Sequence, residues 1–256
     1  MSALNLDDFG SLVERPDAAV RREAEERRQR LVPPAGSLGR LEELADWLAA
    51  VQGRCPTRPL DRVTVVMFAG DHGIAAQGVS ARAPGETARL VRSVLDGEAP
   101  VNVLARRFGA QVRVVDMSVD SDPEEFPAEV TRYRVRRSSG RVDIEDALTM
   151  EEAEHAFRAG MAVADQEADS GTDLVVLGDI GVGSTTIASL LVAALCGTDA
   201  AAVTGRGSGI DDLAWMRKCA AIRDALRRAR PVLGDQLRLL ATSAGADFAA
   251  MTGFLL

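Results

Sequence analysis

Apolar and polar positions fall in blocks along this chain, and the blocks predict strands separated by helices. Three short Val-rich runs, at 63–68, 112–115 and 174–177, are each bounded by polar or glycine-containing segments, as strands are. A highly charged helical stretch spans 16 to about 30, and Pro-Pro-Ala-Gly-Ser at 33–37 breaks it. Ser37 is then the expected N-cap of a second helix with Leu38, Leu41, Leu44, Ala45, Leu48 and Val51 on one side. A third helix is predicted over roughly 84–108, stopped by Gly109, and a fourth over 149–168, opened by a capping box of Thr149 and Glu152. The segment from Arg132 to Arg137 alternates like an edge strand whose charges keep it soluble. Strands alternating with helices imply a parallel sheet. The expected fold class is therefore α/β, a doubly wound parallel sheet flanked by helices, with a small helical N-terminal region at 1–60 and an α/β substrate-binding domain at 61–256.

Ligands of such sheets gather at the carboxyl ends of the strands, where Asp71, Asp116 and Asp179 all fall. The third strand runs into Gly-Asp-Ile-Gly-Val-Gly-Ser-Thr-Thr at 178–186 and then directly into a helix-like segment, 187–195. Strand, glycine turn and helix make an anion site: glycines admit close approach of the ligand, and the helix aims free N–H groups and its positive dipole end at the guest. The spacing mimics a P-loop, but Ser184 stands where the phosphate-reaching lysine belongs, which argues against ATP chemistry. Asp116 reads as a turn former, Asp71 with His72 as either a structural or a functional pair, and His155 as an exposed helix residue.

Composition sharpens one residue. Of 30 Lys and Arg, a single one is lysine, Lys218. In a chain that otherwise uses arginine, a compact ammonium points to a narrow site that grips one phosphate oxygen. A second glycine-rich turn, 205–209, precedes it, and Asp211 or Asp212 can cap the helix that carries it. Net charge of −8 and 4% aromatics speak against nucleic acid as a partner. No stretch approaches the roughly 20 apolar residues of a bilayer span, and no signal-peptide pattern opens the chain, so no membrane partner and a cytoplasmic location are expected. Cys55, Cys196 and Cys219, with only His72 and His155 besides, form neither a disulfide framework nor a zinc motif.

Together these segments resemble a known family. The sequence Pro-Ala-Gly-Ser-Leu-Gly-Arg-Leu-Glu at 34–42, Ala-Gly-Asp-His-Gly at 69–73, Gly-Val-Ser at 78–80, Val-Asn-Val-Leu-Ala at 101–105, the loop 178–186 and the segment 205–212 occur in the order and rough spacing of nicotinate-nucleotide–dimethylbenzimidazole phosphoribosyltransferases. The resemblance implies transfer of phosphoribose from nicotinate mononucleotide to the azole 5,6-dimethylbenzimidazole, giving α-ribazole 5′-phosphate and nicotinate, by a homodimer that uses no metal and no cofactor. It also implies roles. Lys218 with Gly205, Gly207 and Ser208 would hold phosphate; Gly178, Gly181, Gly183, Ser184 and Thr185 would line the ribose and leaving group; Asp71, His72 and Ser80 would edge the benzimidazole pocket. Asp179 stands where the family commonly has Glu in a G-E-x-G segment and would orient substrate or take the proton. The family's G-N-T-T is here Gly183-Ser184-Thr185-Thr186, Glu86 and Glu98 replace positions usually apolar or small, and the family's proposed base lies in an R-L-G-E-G segment beyond Leu256. The run 246–256 reads as an apolar helix cut before its C-cap, which leaves Phe248, Met251, Phe254 and Leu255 as an expected exposed face. The competing expectation is a binding module that holds a phosphoribosyl nucleotide or an azole without transfer; an ATP-dependent kinase is the third.

Overall fold

The structure is a computed structural model and describes residues 13–31, 34 and 36–256. The chain divides into two compact units, with the boundary between Asp61 and Arg62.

In the first unit, α1 (Ala18–Gln29) is capped by Asp17, whose carboxylate accepts from the Ala19 and Val20 amides, and packs against α2 (Arg40–Gln52). Two expectations fail here. Ser37 does not cap α2; the N-cap is Gly39, without a side-chain bond, and Pro33 and Ala35 of the predicted break lie outside the described residues. Nor is the leucine stripe buried: Leu38, Leu41, Leu44 and Val51 are exposed, and α2 turns Asp46, Ala49 and Ala50 inward. The face of α2 turned inward also carries the acids that Arg28 on α1 bonds, Glu42 and Asp46, at 2.6 Å each.

The second unit is built on three parallel strands, β1 (Val63–Gly70), β2 (Gln111–Ser118) and β3 (Leu174–Ile180), in the order β2-β1-β3. On one face, α3 (Glu86–Leu95) packs Ala88, Val91 and Val94 against Ala69, Val114 and Ile180, with Met67 and Val112 alongside. Predicted as one helix, 84–108 is two: Gly97 takes φ 78° after α3, and Pro100 starts α4 (Pro100–Phe108). Asn102 Nδ2 donates to Val94 O at 3.0 Å and so closes the open end of α3. The segment 132–137 is likewise no strand. Its arginines point at acids and carbonyls: Arg134 bonds Asp116 and the carbonyls of Val119 and Ser121, Arg136 bonds Glu152, and Arg137 bonds Asp120 and Asp122. After the short α5 (Ala128–Thr131), the chain returns through α6 (Met150–Asp169), which opens with the predicted capping box of Thr149 and Glu152. Beyond β3 come α7 (Ser184–Cys196), α8 (Ala200–Val203), α9 (Asp212–Ala229), α10 (Gln236–Ser243) and α11 (Ala246–Leu255).

The opposite face of the sheet is covered by α11, so helices lie on both sides, as a doubly wound fold requires. Phe254 meets Phe68 of β1 edge-on, with ring centroids 6.0 Å apart. The face expected to be open is therefore largely packed. Phe248, Met251 and Phe254 are half-buried, and only Leu255 and Leu256 at the end are exposed. Close approach of α6 to α11 makes this possible. A Cβ on Gly160 would lie 1.8 Å from the Ala250 carbonyl oxygen, and one on Gly253 would lie 2.0 Å from that of Phe157. Backbone meets backbone there, so neither site can absorb a methyl group by side-chain movement.

Gly160→Ala is therefore expected to push α6 and α11 apart and to destabilise the protein by about 1–3 kcal/mol, although alanine's helix propensity alone favours it by up to about 1 kcal/mol. Urea unfolding of the two proteins measures the difference; a variant as stable as the parent would show that the helices separate without cost.

Candidate active site

At the carboxyl end of β1 the chain passes through Asp71 and His72, both buried. Asp71 is tied into the fold through both oxygens: it accepts from Thr87 Oγ1 at 2.6 Å and from the Asp120 amide at 2.8 Å. Thr87 in turn accepts from the Val182 amide at 3.1 Å, so one chain of bonds links the ends of β1 and α3 to the glycine loop after β3. Burial pushes the Asp71 carboxyl up from its ordinary value, against the pull of those two donors. Asp116, in β2, is fully buried, accepts from the Val119 amide at 2.8 Å as a turn former does, and is pushed up by burial to about 6.

His72 Nε2 lies 2.9 Å from Asp247 Oδ2, both side chains wholly buried. Asp247 comes from the first turn of α11, where its Oδ1 also accepts from the Phe248 amide at 2.9 Å. Burial alone would lower the imidazole, but Asp247, by charge and hydrogen bond, with Asp179 and Asp71 behind it, lifts it above the ordinary histidine value. Asp179, in β3, completes the cluster. Burial, reinforced by the Asp247 charge and opposed by Ser184 and the His72 charge, pushes its carboxyl up to about 7. Asp179 Oδ1 is buried with no hydrogen-bond partner among the described residues. Glycines form the walls: Cβ atoms would lie 2.3 Å from Gly70 O at Gly181, 3.2 Å from His72 Cβ at Gly183, and 2.8 Å from both Asp247 Oδ1 and His72 Cε1 at Gly245. Gly183, at φ 97°, is the N-cap of α7 and supplies no side chain to close that helix end.

Lys218 lies in α9, capped by Asp211, whose Oδ1 accepts from the Ala214 amide. It is 1% exposed. Its Nζ donates to Thr185 Oγ1 at 2.8 Å and to Gly205 O at 3.3 Å, and no ion pair among the described residues includes it. Burial pushes its ammonium down from the ordinary lysine value. A Cβ on Gly207 would lie 2.7 Å from Thr185 Oγ1 and 3.3 Å from Lys218 Nζ, so the second glycine loop closes directly over the ammonium. Ser208 of the same loop accepts from the Ala81 amide at 2.9 Å and meets Ser80 Oγ at 3.2 Å.

The sequence-predicted residues thus fall into three places. Asp179, Asp71, His72, Gly181, Gly183 and Ser184 surround the buried acids; Lys218, Thr185, Gly205 and Gly207 converge on the ammonium; Ser80 and Ser208 latch two loops together. Gly178 stands apart, within β3, where a Cβ would lie 3.0 Å from Met67 Cε. Asp247, Gly245 and Thr87 were not anticipated. The available signal for Asp247 was one acid in an otherwise apolar helix.

Titration of the acid cluster carries a consequence for stability. Asp179 holds its proton to about 7 in the folded chain and to roughly 3.9 when unfolded. Folding therefore takes up a proton between those values, and this contribution to stability, complete below the lower one, is lost as pH rises through the upper one. Asp179→Asn removes the titration, so the variant should gain on the parent as pH rises from about 5 to 8. Urea unfolding at both pH values checks this; a constant difference would contradict the proton-holding state of Asp179.

A phosphoribosyltransferase family model matches residues 13–256. The Streptomyces avermitilis protein named nicotinate-nucleotide–dimethylbenzimidazole phosphoribosyltransferase is 67% identical over 257 residues, an alignment that spans 100% of this chain and 68% of that protein. Its namesake from Streptomyces coelicolor is 70% identical over 257 residues, spanning 100% of this chain and 72% of that protein. The crystal structure of CobT from Thermus thermophilus superposes with a TM-score of 0.86 at 36% identity, covering 92% of this chain and 70% of that one. On these matches, over a sheet, glycine loops and buried lysine of the kind described, the chain belongs to the nicotinate-nucleotide–dimethylbenzimidazole phosphoribosyltransferase family.

Proposed function

We propose that this chain transfers phosphoribose from nicotinate mononucleotide to an azole of the 5,6-dimethylbenzimidazole type, releasing nicotinate and α-ribazole 5′-phosphate. One observation carries the reading: Lys218 is a buried ammonium whose hydrogen-bond partners among the described residues are neutral oxygens, where two glycine loops meet. An unpaired buried charge is costly, and a bound phosphate would relieve it. Ser184 and Thr185 join that place to the chemistry. Thr185 bonds Lys218 and its chain neighbour Ser184 draws the Asp179 carboxyl down, so the first turn of α7 connects the phosphate grip to the candidate proton acceptor.

The reaction needs little else from the protein. An azole nitrogen attacks C1′, the bond from C1′ to the pyridinium nitrogen breaks with its electron pair remaining on nicotinate, and the ribosylated azolium gives up its N–H proton. Because a pyridinium leaves as a neutral ring, no acid is required to expel it; the enzyme orients the two rings and accepts the azole proton. Binding energy at the remote phosphate can be used to hold C1′ in line. Asp179, with a proton affinity near neutrality and an unpartnered oxygen, has the properties of that acceptor. In this reading Gly181, Gly183, Ser184 and Thr185 line the ribose, Gly205, Gly207 and Ser208 close on the phosphate, and His72 and Ser80 stand toward the azole.

No helix among the described residues is long and apolar enough to cross a membrane. A cytoplasmic homodimer fits this reading. Leu41, Leu44 and Val51, with Leu38 just before the helix, leave an apolar stripe along α2 for a second copy to cover.

Lys218→Met should weaken binding of nicotinate mononucleotide about 10- to 150-fold, the worth of a charge-assisted hydrogen bond of about 1.5–3 kcal/mol. Calorimetric titration of both proteins with the nucleotide, and of the parent with the riboside lacking phosphate, measures this. Equal affinities would remove the phosphate from Lys218. Chromatography for α-ribazole phosphate tests transfer itself: nucleotide binding without product across several azoles would make the chain a binding module.

A further inference from the structure

Glycine on both sides of Val182 leaves the entry to α7 with few intrinsic restraints, so its conformation depends on what holds the residue between them. The peptide unit that joins Gly181 to Val182 is gripped at both ends. Its N–H donates to Thr87 Oγ1 at 3.1 Å, and its carbonyl, Gly181 O, accepts from the Ser184 amide at 3.4 Å, in the first turn of α7. The two groups of a trans peptide point in opposite directions, so the unit stands as a strut between α3 and α7. Packing alone does not fix it. The buried Val182 side chain and the close approach of Gly181 to Gly70 O hold the chain in place, yet a peptide plane beside a glycine can turn over without displacing the side chains around it.

Thr87 is suited to prevent that turn. It is wholly buried, and the Val182 amide can only donate to its oxygen, so the hydroxyl proton is left for Asp71 Oδ1, 2.6 Å away. Asp71 is itself fixed at its other oxygen by the Asp120 amide, at 2.8 Å. By taking the hydroxyl proton, the Asp71 carboxylate keeps a Thr87 lone pair facing Val182. We propose that Thr87, aimed by Asp71, is a positioning residue that holds the Gly181–Val182 peptide and so sets the start of α7 for the reaction. The proposal rests on the reading of this loop as the wall that lines the ribose. With the peptide in place, Gly181 O engages the Ser184 amide while Thr185 stays against Lys218. Once released, the peptide turns over, the Ser184 amide loses its acceptor, and the loop no longer presents one surface to the ribose. Lys218 keeps its grip on the phosphate, so the loss falls on the orientation of C1′ rather than on affinity.

Thr87→Val keeps the shape of the side chain and removes its hydroxyl; Thr87→Ser keeps the hydroxyl. Three measurements compare them with the parent: calorimetric titration with nicotinate mononucleotide, whose stoichiometry counts folded sites; kcat per such site, by chromatography of α-ribazole phosphate; and hydrogen exchange of the Val182 amide, by 15N NMR. Thr87→Val should lower kcat about 10- to 100-fold, the scale of a misplaced reacting group, with nucleotide affinity nearly unchanged and Val182 exchange faster. Thr87→Ser should restore kcat and exchange toward the parent. A merely structural role would lower the number of sites and leave turnover per site as it was. Full kcat or unchanged Val182 exchange in Thr87→Val, a loss confined to nucleotide affinity, or a Thr87→Ser as slow as Thr87→Val overturns the proposal. Should Thr87→Val not fold, Thr87→Cys, whose thiol is a weak acceptor, is judged by the same outcomes. If the parent itself makes no product, the transfer reading falls and Val182 exchange decides the rest: faster in Thr87→Val and parent-like in Thr87→Ser supports the hold on the loop, and equal exchange in all three overturns it.

Discussion

The contact between His72 and Asp247 joins the parts of this molecule to which we assign the chemistry. It joins the carboxyl end of the central strand to the last helix across 175 residues of chain, at 2.9 Å and out of contact with solvent. A charged pair removed from water is a net cost unless its geometry is good and its remaining polar atoms are satisfied, and this one is incomplete, since His72 Nδ1 has no partner among the described residues. The compensation comes from packing. α11 lies against α6 at backbone contact through Gly160 and Gly253, and Phe254 seats on Phe68, so the helix that carries Asp247 is fixed before its carboxylate is.

The same economy of space runs through the site. Gly70, Gly181, Gly183 and Gly245 are there because His72, Asp247 and neighbouring backbone fill the volume a side chain would need. Around this wall the two charged groups of the proposed site are kept apart but in step. Ser184 faces the acids and Thr185 faces the ammonium, and consecutive Cα atoms are separated by only about 3.8 Å. A substrate gripped by its phosphate at Lys218 would thus have its reacting carbon delivered toward acids whose own positions depend on the sheet and on α11. Orientation of this kind lowers the entropic barrier to reaction and needs no mobile element.

Two of the differences between expectation and structure involve charged groups. Periodicity alone would bury the leucines of α2, but the stripe lies outward and the inward face carries Asp46, paired with Arg28. Alternation alone would make 132–137 a strand, but Arg134, Arg136 and Arg137 each find an acid or carbonyl in a different direction, and no regular ladder can satisfy all three. The apparent helix 84–108 divides for a local reason, a left-handed Gly97 followed by Pro100, which was visible in the chain and outweighed by the apolar periodicity on either side.

By itself the sequence determined the three strands and their order along the chain, the capping box of α6, the two glycine loops and the singularity of Lys218, because each is a local matter of side-chain shape, backbone freedom or composition. It also carried the family resemblance, which is a property of motifs in order. Only the tertiary structure decided that Asp247 meets His72, that Asp71 is spent on Thr87 and the Asp120 amide, and that Phe248 and Phe254 are packed rather than open. Those facts depend on which residues distant in sequence come to share a volume too small for water. No window of the chain contains that information, because the volume exists only after α11 has been laid between α6 and the sheet.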